Sequence, residues 1–138
     1  MSFTDWLENA ALNAILGTAA TILPANVEIG LSTTTIADDG SGYTEPVGGG
    51  YVRVAKANTN ANFAVSVAGV KTNASEIAFP TATGDWGTAT YWFICDVGLS
   101  QIYVSGVLDD GSGVATPRTI LNGDDFKFPI GDLRIYLD

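Results

Sequence analysis

From Val27 onward, apolar residues recur at every second position in short runs, and clusters of Gly, Pro, Asn and Asp separate the runs. A period of two is the side-chain period of a β-strand with one face buried, and a helix cannot satisfy it. "VEIGLS" sets Val27, Ile29 and Leu31 on one side, and "YVRVAK" repeats the pattern. "NFAVSVAG" does so through Phe63, Val65 and Val67, "SEIAFP" through Ile77 and Phe79, and "DLRIYLD" through Leu133, Ile135 and Leu137. "SQIYVSGVL", "TPRTIL" and "DFKFP" complete the series. The longest run, "GTATYWFICDV", is β-branched and aromatic on both faces, which predicts a central strand covered on both sides. Roughly eight or nine short strands with turn clusters between them predict a mainly β fold. The expected architecture is an antiparallel β-sandwich, jelly-roll-like, over residues 26–138. No stretch between strands reads as a crossover helix, so a parallel α/β sheet is not expected.

The N-terminus has a different period. Phe3, Trp6, Leu7, Ala10, Ala11 and Ala14 follow the spacing of one helical face, predicting an amphipathic helix over about 3–16. Ser2 is placed to cap it, with Asp5 three residues on, and Gly17 to stop it. Leu12, Ile15 and Leu16 widen the apolar stripe beyond one packing face. Two readings follow: a helix lying on the β core, or one that also packs against a partner chain.

The 138 residues suit a single domain, long enough to bury a core without disulfides or metal. A net charge of −9, with no basic residue before Arg53, argues against nucleic acid and anionic membrane as partners. Cys95, the single cysteine, excludes an intrachain disulfide and reads as a buried small side chain. The N-terminal residues lack the basic start of a signal peptide, and no apolar run reaches membrane-span length. The expectation is a soluble protein made in a cytoplasm. Asn73-Ala74-Ser75 is formally a glycosylation sequon.

Chemistry has little to work with. The absence of histidine rules out a Ser-His-Asp triad and imidazole metal ligation. A carboxylate pair of glycosidase type would have to come from Asp38/Asp39, Asp85, Asp96, Asp109/Asp110 or Asp124/Asp125. All but Asp96 fall in expected turns, where nothing raises a carboxyl pKa. "DDGSG" occurs at 38–42 and again at 109–113, but its adjacent acids lack the alternating ligand spacing of a calcium loop. Tight turns are the better account. The triplet Gly48-Gly49-Gly50 precedes "YVRVA", a strand rather than a helix, so it is no phosphate loop. Neither a cofactor, a metal nor an enzymatic activity is expected.

The blocks "TEPVGGGYVRV" and "FPTATGDWGT", with "WLENAALNAILG" before them and "NGDDFKFPIGDLRIYLD" after, carry a resemblance over nearly the whole chain. The chain resembles a family of small tailed-bacteriophage virion proteins, often labelled tail fibre proteins; some similar proteins decorate or cement the capsid. The segment "DDGSGVATPRT" departs from the family pattern by its longer loop. The resemblance implies a virion component in many copies, a trimer by first expectation, with no catalytic residue to carry over. It favours a capsid decoration or cement protein on the head surface, with the major capsid protein and copies of itself as partners. The alternative is a tail fibre or tail-tip component contributing to host attachment. A bacterial carbohydrate-binding module is disfavoured, because Tyr91 and Trp92 point to opposite sides of one strand. Phe3, Trp6, Leu7, Leu12, Ile15 and Leu16 are the expected interface residues. Trp86, in a turn-like context, stands between interface and core.

Overall fold

A computed structural model describes residues 2–17 and 24–136. The fold is mainly β, with antiparallel pairing throughout the described sheets. Its centre is a five-stranded sheet made of β1 (Ser2–Phe3), β8 (Ile102–Val107), β7 (Tyr91–Asp96), β2 (Asn26–Ser32) and β3 (Val54–Ala57), in that order. The β-branched and aromatic run of β7 occupies the middle position, as its two-sided apolar pattern requires.

Three two-stranded ribbons complete the described sheets. β4 (Val70–Thr72) pairs with β11 (Arg134–Tyr136), β5 (Ile77–Ala78) with β10 (Lys127–Phe128), and β6 (Gly87–Ala89) with β9 (Arg118–Ile120). Their side chains and those of the adjoining loops, among them Phe63, Phe79, Trp86, Phe126 and Leu133, join one face of the central sheet in a single core with Ile29, Leu31, Trp92 and Ile94. The layer opposite the sheet is thus a set of ribbons and loops rather than one continuous jelly-roll sheet. Its strands are only two or three residues long, against a usual length of about five or six.

The other face is covered by the loop at 33–44. Ile36 packs on Phe93, Cys95 and Ile102, and the Tyr43 ring lies 5.8 Å from that of Phe93. Strand β7 therefore sends Trp92 to one core and Phe93 to the other. Each meets a glycine directly across the ladder: Gly106 opposite Trp92 and Gly30 opposite Phe93. A Cβ on Gly30 would sit 2.2 Å from the Phe93 ring, and one on Gly106 2.7 Å from the Trp92 indole. The missing side chains are the space these rings occupy.

Two expectations need correction. The helix, α1, spans Asp5–Leu16, while Ser2 and Phe3 form β1 against Ser105 and Val104. Ser2 is therefore not the cap; the N-cap is Thr4. The alternation of "NFAVSVAG" does not build a strand. Phe63 is buried, but Val65 and Val67 are exposed; the segment turns back at Ala68 and Gly69, both at positive φ, and makes only isolated bridges, Phe63 to Asn73 and Val67 to Val70. Leu137, expected on the face of Leu133, lies outside the described residues.

Candidate protein interface at the N-terminal helix

The helix is fastened at its first turn. Thr4 is buried; its amide donates to the Tyr103 carbonyl at 3.0 Å and its hydroxyl to the Ile102 carbonyl at 2.7 Å. The Asp5 amide donates to the Asp38 carbonyl at 3.1 Å. Thr4 spends its hydroxyl on β8 and makes no side-chain cap of the helix, so the cap that ordinarily stabilises a helix start serves here as an anchor to the sheet. Asp5 and Glu8 in the first turn suit the positive end of the helix dipole.

Beyond that turn the helix holds little. None of its residues is buried, and the strands it touches most are β1 and β8. Phe3 and Leu7 are half-buried and, with Val27, Val104, Tyr103 and Ile135, line an apolar groove of about 170 Å³ between helix and sheet. The ring of Trp6, 41% exposed, lies 5.2 Å from that of Tyr103. Leu12, Ile15 and Leu16 are 56%, 75% and 84% exposed. The wide stripe seen in the sequence divides accordingly. Phe3 and Leu7 face the sheet, Trp6 leans on Tyr103, and the three C-terminal aliphatics stand in solvent.

Trp86 belongs elsewhere. It is 4% exposed, its ring meets Tyr51 edge-on at 5.2 Å and Phe79 at 6.3 Å, and its indole N–H donates to the Gly49 carbonyl. It is a core residue and leaves the surface set. A turn-like sequence concealed this, because the covering comes from a loop 37 residues away.

The remaining polar clusters serve the fold. In the first DDGSG turn Asp39 accepts from the Ser41 amide; in the second, Asp109 accepts from the Gly111 amide and Asp110 from the Ser112 amide and hydroxyl. These bonds within the loops hold the Asp39 and Asp110 carboxyls below the usual range. Arg53 joins Glu28 and Glu45, while Tyr51 donates to Glu45 and accepts from the Leu31 amide. This network ties the segment between the glycine triplet and β3 to β2. Sequence reading did not find it, since its members are scattered over 26 residues that only pairing of β2 with β3 brings together. Among the described residues no helix is long and apolar enough to cross a membrane.

A family model described as "Podophage GP4 fiber I protein gp80" matches residues 2–136 of the chain. No curated protein matches it.

Proposed function

The chain belongs to the podophage GP4 fiber I protein family, a family of small tailed-phage virion proteins, and on that premise we propose that it is a fibre component whose N-terminal helix joins it to other virion subunits. The observation that carries this is the helix itself: twelve residues, none buried, presenting Leu12, Ile15 and Leu16 to solvent. An isolated helix of about 12–15 residues is marginal in water. This one gains little from tertiary packing beyond its first turn. An apolar face on such an element is what a subunit contact buries. Copies of the chain meet through that face in the trimer expected from the family resemblance, and the β body acts as a rigid spacer without catalytic work.

The family's description fits the fibre reading, whereas sequence alone favoured the capsid-cement reading. A cryo-EM map of the parent virion, or immunogold labelling, tests the choice. Density for this fold on the tail is the expected result. Density on the head surface against the major capsid protein would overturn the fibre assignment and restore the cement reading.

A further inference from the structure

A second site lies on another part of the molecule. The long second DDGSG loop, residues 109–113, stands over strand β11 and leaves a cleft of about 330 Å³, within the ~300–1,000 Å³ common for ligand pockets. Trp92, Asp109, Ser112, Asp132, Arg134 and Tyr136 are among the residues that line it. Trp92 is the notable member. It is only 5% exposed, and its indole edge lies across Gly106, which also lines the cleft. A Cβ on Gly106 would fall 2.8 Å from the indole nitrogen. The two other tryptophans differ from it: Trp86 spends its N–H on Gly49, and Trp6 is a surface residue. Among the described residues the Trp92 N–H meets no acceptor, and no side-chain nitrogen or oxygen is both fully buried and unpaired. The donor therefore reaches the cleft.

Arg134, Asp132 and Asp109 keep further capacity. Arg134 donates once, from Nη1 to the Gly111 carbonyl at 2.9 Å, which fixes the guanidinium against the loop. Its other N–H groups, and the Asp132 carboxylate, meet no partner among the described residues. Asp109 uses one oxygen on the Gly111 amide. The Tyr136 side chain stands at the margin, 40% exposed.

We propose that this cleft binds a neutral saccharide. Two carboxylates against one guanidinium disfavour an anion. The guanidinium disfavours a cation, and no group of three acidic or thiol side chains that could hold a metal occurs among the described residues. Fixed donors facing fixed acceptors suit hydroxyl groups, each of which donates and accepts at once. A tyrosine ring supplies an apolar surface for the carbon face of a sugar ring. The arrangement is one cleft with one buried indole, distinct from a row of aromatics along a strand. It stands on the cleft alone and holds for a fibre or a head protein alike.

The test is NMR titration of the ¹⁵N-labelled full chain with glucose, galactose, mannose, rhamnose and lactose, with citrate and inorganic phosphate as anionic probes. The expected result is a saturable shift of the Trp92 indole N–H signal by at least one neutral sugar, with dissociation constants on the order of millimolar. The Trp86 signal should stay in place. Arg134→Ala and Asp132→Asn, both at exposed positions, should each weaken the response about tenfold or more while the spectrum keeps its native dispersion. A shift with citrate or phosphate only, or none with any of these sugars, would overturn the proposal.

Discussion

The indole N–H of Trp86 donates to the carbonyl oxygen of Gly49 at 2.7 Å, and the Thr83 amide donates to the same oxygen at 2.9 Å. The middle glycine of the triplet is thereby clamped to the "TATGDWG" segment. A Cβ on Gly49 would lie 2.6 Å from the Gly84 carbonyl oxygen and 2.8 Å from the Trp86 ring, at a φ of +57°. The two sequence blocks that best marked the family are one packed unit.

Gly49→Ala is therefore expected to cost far more than Gly48→Ala. Both residues have positive φ, which costs a non-glycine residue roughly 1–2 kcal/mol. A Cβ on Gly48 meets nothing within 4 Å, whereas one on Gly49 collides with backbone. Urea denaturation should show Gly49→Ala losing at least about 2 kcal/mol more than Gly48→Ala. Equal losses would mean that the clamp is not tight.

Asn73 is the principal polar staple of the core. Fully buried, it donates from its amide to the carbonyls of Ser75 and Pro129 at 2.9 and 2.8 Å, and accepts from the Leu133 amide at 2.9 Å. Asn73→Ala would strand those backbone groups away from water, so a loss of about 3–5 kcal/mol is expected in thermal or urea unfolding. A loss below about 1 kcal/mol would show that water satisfies them. The same burial makes the formal sequon at Asn73 a structural feature of the native fold.

For the helix, combined Leu12→Ser, Ile15→Ser and Leu16→Ser should leave the unfolding midpoint of the β body within about 1 kcal/mol of the wild type, since these side chains are exposed. Sedimentation velocity should show association lost. Persistence of the wild-type oligomer would remove the helix from the interface. Deleting residues 2–16 is a poorer experiment, because it also removes β1 and the Thr4 anchor.

Burial pushes the Cys95 thiol from its ordinary 9.0 up to about 12, partly offset by nearby Arg53. The folded state thus holds the proton more tightly than the unfolded chain. Its contribution to stability is complete below about pH 9 and is lost as pH rises toward about 12. Burial pushes Tyr51 upward as well, in the same sense. Stability should decline above pH 9, and at pH 8 iodoacetamide should label Cys95 far more slowly in native protein than in urea. Rapid native labelling would contradict the buried position.

Much of this fold was legible because local rules decide it. Val27, Ile29 and Leu31 alternate because one face of β2 meets the core, and β7 is apolar on both faces because both are covered. The wide apolar surface of the helix was also legible, since Leu12, Ile15 and Leu16 exceed what one packing face can use. The same rules misread Val65 and Val67, whose alternation is real but which stay exposed in a segment that makes only isolated bridges, Phe63 to Asn73 and Val67 to Val70, around the Ala68-Gly69 turn.

Sequence alone, then, determined the β class, the central strand, the turns and the apolar helix, all consequences of side-chain period and backbone preference over a few residues. Only the tertiary structure decided what each aromatic does. Trp86 is core because Tyr51 and Phe79 pack on its ring and a distant glycine carbonyl accepts its N–H, and Trp92 keeps its donor because no acceptor among the described residues folds over it. Such assignments depend on residues far apart in the chain meeting in space, and no local pattern carries that information.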